Sequence, residues 1–193
     1  MKRALILSLS LLALAACKEE VVQTTDPVGL TAESIGHFCQ MNLLEHPGPK
    51  AQVHLEGLPG APLFFSQVRD AIAYSRLPEQ SHTILAIWVN DMGAPGATWE
   101  APGPANWIDA KTAHFVVGSA REGGMGAPEL IPFSDASSAR AFADQNGGAV
   151  MDLAEVPDSA VIAPVADVDP AGDSTDDDDF KGRLRALSQR NEG

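Results

Sequence analysis

Three side chains that bind soft metal ions stand at alternate positions in the segment His37-Phe38-Cys39-Gln40-Met41. An imidazole, a thiol and a thioether form a donor set that suits monovalent copper better than calcium or magnesium. Alternate residues of an extended segment point to one face, so the spacing predicts an extended backbone on which His37, Cys39 and Met41 meet one Cu(I) ion. Zn(II) fits this set less well because it rarely accepts methionine.

A third sulfur ligand is expected from a distant loop. Met125 lies in the glycine-rich segment Gly123 to Gly126, which has no apolar period that would explain a large apolar side chain. We interpret Met125 as the donor that completes a Cu(I) site, while a methionine folded onto the surface is the alternative. His46 before Pro47 stays open as a further or transient ligand. Of the other methionines, Met92 is a weaker candidate and Met151 is expected in the core.

The N-terminus has the features of a bacterial export signal. Lys2 and Arg3 precede an apolar run from Ala4 to Ala16 that is too short to span a bilayer, so residues 1–16 are interpreted as a signal peptide. The run ends in Leu14-Ala15-Ala16-Cys17, which resembles the lipobox of lipoproteins and predicts lipidation of Cys17. Because Lys18 follows instead of an inner-membrane aspartate, we expect a periplasmic protein anchored by lipid to the outer membrane.

The cysteine count gives Cys39 its importance. The chain has two cysteines, and lipidation of Cys17 leaves Cys39 without a partner in the chain. An unpaired thiol in an exported protein needs an explanation such as metal binding or reactivity, with a buried inert cysteine as the alternative. A thiol enzyme with Cys39 as nucleophile and His37 as base is a competing interpretation, but it gives Met41 no role.

Composition and charge set further limits. The chain has 193 residues, 45% of them hydrophobic, which is typical of a globular protein. Removing Lys2 and Arg3 with the signal peptide changes the formal net charge from −13 to −15, which argues against nucleic acid as a partner. Residues 17–30 are predicted as a flexible lipidated tether, and residues 157–193 as a disordered acidic tail. A passive adaptor that uses this tail to bind a basic partner is the third interpretation.

The central part predicts an α+β fold made of two related ββαβ units. The first, residues 31–92, contains the donor cluster, two strands (Gln52–Glu56 and Leu63–Phe65), a helix capped by Ser66 that extends to Arg76, and a strand from Thr83 to Val89 that is expected to be central and covered on both faces. The second, residues 93–156, has strands Ala113–Val117, Leu130–Phe133 and Ala149–Leu153 and a helix from Asp135 to Gln145.

An internal repeat supports this duplication. A comparison without gaps at an offset of 68 residues pairs Phe65-Ser66 with Phe133-Ser134 and Tyr74 with Phe142. Each half is too small to bury a good core alone, so the two are expected to form one compact unit. Chance similarity between two amphipathic helices is the alternative explanation.

Several of these motifs together resemble the NosL family of nitrous oxide reductase accessory lipoproteins. The resemblance covers most of residues 28–156 and rests on His37 to Met41, His46 to Gln52, Trp107 to Ala110, Gly124 to Gly126 and Pro132-Phe133. One departure is Gln40, because members of this family usually have glycine between the cysteine and the methionine.

The resemblance implies a copper chaperone that is not an enzyme. It implies that the chain binds Cu(I) and passes it toward the copper sulfide centre of apo nitrous oxide reductase, together with an ABC-type membrane complex of the same maturation system. The implied metal donors are Cys39, Met41 and Met125, with His37 as a plausible nitrogen donor. The implied fold is a pair of ββαβ units similar to a domain of organomercurial lyase.

Overall fold

The computed structural model describes residues 22–162, which contain seven β-strands and two α-helices. In chain order these are β1 (Ala51–Leu55), β2 (Leu63–Phe65), α1 (Val68–Arg76), β3 (Ile84–Val89), β4 (Ile108–Asp109), β5 (His114–Val117), β6 (Ile131–Phe133), α2 (Ala136–Asn146) and β7 (Ala149–Asp152). The predicted signal peptide, Cys17 and tail residues 163–193 lie outside this range. Within it, no helix combines the length and the apolar character needed to cross a bilayer.

The strands form two antiparallel sheets that repeat one topology. The first sheet has the order β2-β1-β3-β4 and the second has the order β6-β5-β7. In each, the first strand of the unit lies between the second strand and the strand that follows the helix. This arrangement confirms the predicted α+β fold of paired ββαβ units. The short strand β4, which the sequence did not predict, extends the first sheet.

The spacing between the units explains why the repeat is weak in the sequence. Strands β2 and β6 begin 68 residues apart, at Leu63 and Ile131, and helices α1 and α2 also begin 68 residues apart, at Val68 and Ala136. The other strands are offset differently, because the connecting loops differ in length. A comparison without gaps therefore detects only the strand and helix in the middle of each unit.

One hydrophobic core is shared by both units. Val53 of β1 and Ile72 of α1 pack in the same buried cluster as Phe115 of β5 and Leu130, which precedes β6. A second cluster lies under α2 and includes Val116 and Phe133. Neighbours in a strand point to opposite faces, so Phe115 and Val116 place β5 between the two clusters. The shared cluster joins the two units into one body.

Strand β1, rather than β3, is covered on both faces. All five residues of β1 are buried, whereas β3 has two buried residues, Ala86 and Val89, and four partly exposed ones. The expectation for β3 is therefore wrong in this respect, although β3 does lie inside the sheet. Strand β1 is buried on both faces because the chain segment that precedes it covers its polar face.

This covering segment, residues 22–30, is the described part of the predicted tether. The side chain of Gln52 accepts a hydrogen bond from Val28 N at 2.8 Å and donates one to Val28 O at 3.0 Å. Gln23 Nε2 donates to Leu55 O, and Trp88 Nε1 donates to Thr25 O. These bonds fix the segment on the first sheet.

The folded region also extends beyond the predicted boundary at residue 156. Asp158 begins a short 3-10 helix and forms an ion pair of 2.9 Å with Arg76 of α1. Val161 is buried in the shared core. The buried side chain of Val161, the ion pair and a hydrogen bond from Arg69 Nε to Val161 O hold this turn, although its composition resembles that of the acidic tail.

Candidate metal site

The backbone from His37 to Met41 forms a tight reversal, so the prediction of an extended segment is wrong. The Gly36 amide donates to Met41 O, and the Gln40 amide donates to Gly36 O, both at 2.9 Å. Gln40 has a φ of 56°, the left-handed conformation that closes the turn and that only glycine adopts without strain. In such a turn alternate residues no longer share a face, because the chain direction changes within it.

The turn is attached to the edge of the first sheet. Gly36 forms a parallel bridge with Phe64 of β2, and the His37 amide donates to Phe64 O. On the other side, the Asn42 side chain donates to Ala32 O and accepts from the Leu44 amide. Asn42 thereby caps the short 3-10 helix that begins at Leu43. Leu43 in that helix is fully buried. The donor turn is therefore fixed at both ends.

The turn places the thiol of Cys39 beside the backbone of Met41. The thiol of Cys39 lies over Gly36, where an added Cβ would collide with Sγ, and Sγ is 4.0 Å from Met41 O. Cys39 is partly exposed, and the Met41 side chain is 40% exposed. A thiolate and a thioether on one rigid turn can bind a soft ion at the protein surface.

His37 occupies a different environment in this structure. Its ring packs against Phe38, Phe65 and Tyr74, with ring centroids 5.4 to 5.6 Å away. Within residues 22–162 no hydrogen bond joins the His37 ring to another group, including Cys39. The aromatic contacts give His37 a packing role beside the turn, and its role as a nitrogen donor stays a prediction.

Met125 lies at the tip of a tight turn in the second unit. The Gly126 amide donates to Gly123 O, and the Gly123 amide donates to Ala127 O, so Met125 is the third residue of a closed turn. A Cβ added to Gly124 would lie 2.8 Å from both His46 Cβ and Pro47 O. The methionine loop therefore packs on the segment that follows the donor turn. Met125 is 42% exposed, and its coordination of the ion stays a prediction.

Two buried ionisable residues, Lys50 and Glu129, lie next to this contact between the methionine loop and the segment that contains His46. Lys50 is 2% exposed, and its Nζ donates to the carbonyl oxygens of Pro47 and Gly48. Burial lowers the pKa of Lys50 to about 8, against the opposing attraction of Glu129 and Cys39. Burial raises the pKa of Glu129 to about 8, although hydrogen bonds from the amides of Arg69 and Leu130 favour its ionised form.

Glu129 also replaces the predicted helix cap. The N-cap of α1 is Gln67 instead of Ser66, and the Gln67 side chain makes no capping bond. Glu129 Oε1 instead accepts the Arg69 amide in the first turn at 2.9 Å. The sequence analysis did not identify Lys50 or Glu129. The only sequence signal is that each charged residue immediately precedes a buried strand or apolar run.

The other candidate ligands, His46, Met92 and Met151, differ in their surroundings. His46 Nε2 is buried and has no hydrogen-bond partner among residues 22–162, which keeps His46 open as a ligand. Met92 and Met151 are partly buried against the two hydrophobic clusters. In the same part of the chain, no group of three or more His, Cys, Asp and Glu residues is placed to hold a metal ion. The predicted sulfur donors stay Cys39, Met41 and Met125, with His37 and His46 as candidate nitrogen donors.

Comparisons with known proteins identify close relatives. A family model described as NosL matches residues 27–161. The chain is 58% identical over 185 residues to the copper-binding lipoprotein NosL of Achromobacter cycloclastes, covering 96% of this chain and 94% of the relative. It is 33% identical over 156 residues to the copper-binding lipoprotein NosL of Stutzerimonas stutzeri, covering 80% and 78% of the two chains.

A solved structure shows the same fold. The crystal structure of the copper chaperone NosL from Shewanella denitrificans superposes with a TM-score of 0.64 and 29% sequence identity, covering 69% of this chain and 96% of that chain.

Proposed function

Since this chain belongs to the NosL family, whose named members are copper-binding proteins rather than enzymes, we propose that it is a periplasmic lipoprotein that binds Cu(I) and delivers it for assembly of the copper centre of nitrous oxide reductase. Copper is the cargo of this protein. In support of this proposal, Cys39 and Met41 lie on one hydrogen-bonded turn, and both side chains are partly exposed.

The observation that carries this proposal is the pairing of Cys39 and Met41 on one fixed turn. A thiolate and a thioether are polarisable donors and favour a soft monovalent ion over hard divalent ones. Both side chains are partly exposed, so a partner can approach the ion without unfolding of the core. Tight binding and surface access are the two properties that a metal carrier needs.

Attachment to the outer membrane through a lipid on Cys17 is part of the same proposal. Exposed Val22, where the described chain begins, follows Cys17 by five positions, which corresponds to at most about 18 Å of extended chain. From Gln23 the chain is bound to the first sheet. A lipid anchor would thus keep the domain close to the membrane surface. Apo nitrous oxide reductase and an ABC-type membrane complex are the proposed partners.

Anaerobic Cu(I) titration against a competing chelator tests the binding step. The protein is the chain from residue 17 with Cys17→Ser, which prevents lipidation and removes a second thiol. We expect one tightly bound Cu(I), with affinity reduced more than about a hundredfold in Cys39→Ser, beyond the roughly 10- to 100-fold loss typical of a supporting residue. Met41→Leu keeps the shape without the sulfur and is expected to weaken binding less. Unchanged affinity in both variants would falsify the proposal.

The pH dependence of binding gives a second check on the thiolate. Metal binding to a thiol releases its proton, so the apparent affinity is expected to fall about tenfold per pH unit where the thiol is protonated. The Cys39→Ser variant serves as the control, because it has no thiol proton to release. An affinity independent of pH in both proteins argues against coordination by Cys39.

Delivery is tested with the enzyme made in cells that lack this chain. We expect nitrous oxide reductase from such cells to lack copper in its catalytic centre, and expression of the wild-type chain to restore it. The Cys39→Ser variant is expected to behave like the deletion. Normal copper content in the deletion strain would contradict delivery. Turnover by the copper-free chain itself would instead support the thiol-enzyme alternative.

A further inference from the structure

Glu129 is the buried group that connects the methionine loop to the first unit. Its side chain is 1% exposed, and Oε1 accepts hydrogen bonds from the amides of Arg69 and Leu130, each at 2.9 Å. Arg69 lies in the first turn of α1, 60 residues earlier in the chain. A carboxyl group at this position satisfies a free amide of the helix N-terminus. Glu129 therefore holds the end of the loop at a fixed place on the first unit.

The loop is in contact with Glu129 on one side and with the donor segment on the other. A Cβ added to Gly123 would lie 2.6 Å from Glu129 Oε2 and would also collide with the Gln67 side chain. Gly124 packs closely on His46, where an added Cβ would lie 2.8 Å from His46 Cβ. Met125 follows immediately at the tip of the turn. The position of Met125 thus depends on a layer of contacts that begins at Glu129.

From this geometry we propose that Glu129 is a positioning residue for the copper site, holding the loop so that Met125 can reach an ion bound by Cys39 and Met41. The inference rests on the proposed function, since it requires Met125 to be a ligand. A thioether is a neutral donor, so its contribution depends on being held at the right place before the ion arrives. Glu129 does not touch the ion.

The interaction between Glu129 and Met125 is measured with a double-mutant cycle on Cu(I) affinity. The protein is again the chain from residue 17 with Cys17→Ser, titrated anaerobically against a chelator. We expect Met125→Leu to weaken binding about tenfold in the wild-type background. In the Glu129→Ala background binding is already about tenfold weaker, and Met125→Leu is expected to add less than a twofold loss.

Conservative replacement separates positioning from charge. Glu129→Gln keeps an oxygen acceptor for both amides, so it is expected to retain wild-type affinity and the full tenfold effect of Met125→Leu. X-ray absorption of the Cu(I)-loaded proteins gives an independent readout. We expect three sulfur ligands in the wild type and in Glu129→Gln, and two in Glu129→Ala.

A second variant covers the case in which Glu129→Ala does not fold. Gly123 has an ordinary backbone conformation, so Gly123→Ala introduces a collision with Glu129 and Gln67 without backbone strain. It is expected to abolish the effect of Met125→Leu by displacing the loop from Glu129 while keeping the Glu129 carboxyl group. Glu122→Ala, at an exposed carboxylate of the same loop, is the matched control and is expected to change nothing.

The outcomes distinguish this inference from the proposed function. If Met125→Leu weakens binding tenfold in every background, Met125 is a ligand but Glu129 does not position it, and the inference is overturned. If Met125→Leu has no effect in the wild type while Cys39→Ser still abolishes binding, the inference fails and Cu(I) binding stands. Loss of the Met125 effect in Glu129→Ala and Gly123→Ala, with recovery in Glu129→Gln, supports it.

Discussion

At the scale of single residues, Gln40 occupies a backbone conformation that is better suited to glycine. Its φ of 56° lies in the left-handed region, where a Cβ costs roughly 1 to 2 kcal/mol. The Gln40 side chain donates to His37 O at 2.7 Å, which offsets part of that cost. A glycine at this position would adopt the turn without strain.

Replacement of Gln40 by glycine is expected to stabilise the protein by about 0.5 to 1 kcal/mol. The gain is the relief of left-handed strain, reduced by the greater freedom of glycine in the unfolded chain and by the loss of the exposed hydrogen bond to His37 O. Urea denaturation measures the change. Gln40→Ala is the matched control, because it keeps the strain and removes the hydrogen bond, so it should be less stable than the wild type. Equal stability of the glycine and alanine variants would show that the turn is not strained.

The charge state of Glu129 should be visible in the pH dependence of stability. Burial raises its pKa from 4.5 to about 8, so the folded state binds a proton that the unfolded state releases between these values. The stability from this proton is fully present below pH 4.5 and is lost as the pH rises through 8. Its size is on the order of a few kcal/mol.

The corresponding measurement compares urea denaturation of the wild type and Glu129→Gln from pH 5 to pH 8. We expect the free energy of unfolding to fall more steeply in the wild type, because the amide of the variant does not ionise. Lys50 has the opposite sign, since its lowered pKa of about 8 adds stability only as the pH rises above that value. Parallel curves for the two proteins below pH 8 would contradict a buried protonated Glu129.

At the scale of elements, the sequence pattern of β1 predicts the strand correctly but does not predict that both of its faces are buried. Its alternation of polar and apolar residues predicts a strand with one solvated face, yet Gln52 and His54 are almost fully buried. The residues before β1 cover that face, and His54 Nε2 bonds to Gln52 Oε1 at 3.0 Å. Burial therefore lowers the pKa of His54, against the attraction of Asp26.

Removal of the Gln52 side chain is expected to destabilise the protein by about 2 to 3 kcal/mol. Gln52→Ala breaks both bonds to Val28 and leaves His54 Nε2 buried without its partner. Hydrogen exchange should show faster exchange of the Val28 amide, and denaturation gives the stability. Copper affinity is expected to stay unchanged, because the side-chain hydrogen bonds of Gln52 are made to Val28 and His54 and not to the donor turn. Unchanged exchange at Val28 would mean that other contacts hold the segment.

The elements could be predicted well, whereas the site geometry could not. All strands except β4, and both helices, follow from apolar periodicity and from turn residues, with boundaries shifted by one or two residues. The donor turn could not be predicted because it contains a non-glycine residue in the left-handed region, and alternation of donors is equally consistent with a strand. Likewise, the cap of α1 comes from Glu129, which lies too far along the chain for a local pattern to reveal it.

At the scale of the whole molecule, each unit uses a buried carboxyl group to bind the other. Glu129 of the second unit accepts an amide at the start of α1. Asp91, at the end of the first unit, accepts the Ser134 amide at 3.1 Å and the Ser134 hydroxyl at 2.5 Å. Both links are made at the junction of strand and helix. The predicted repeat identified the two units, but these reciprocal links depend on tertiary structure and have no local sequence signal.

These links and the shared core predict that neither unit folds alone. The cluster around Val53, Phe65 and Ile72 is completed by Phe115 and Leu130 of the second unit. Loss of contacts to each large buried side chain costs roughly 1.5 to 3 kcal/mol, and a whole domain is stable by only about 5 to 15 kcal/mol. Losing several such contacts together with the Glu129 link therefore removes the stability of the first unit.

A fragment of residues 22–92 is accordingly expected to be unfolded, while residues 22–162 should fold with a single cooperative transition. Amide dispersion in nuclear magnetic resonance spectra and thermal denaturation followed by circular dichroism distinguish the two cases. Mixing the fragment with residues 93–162 should restore dispersion if the shared core is the cause. A dispersed spectrum for residues 22–92 alone would show that the first unit is an independent domain, and the copper turn could then form without the second unit.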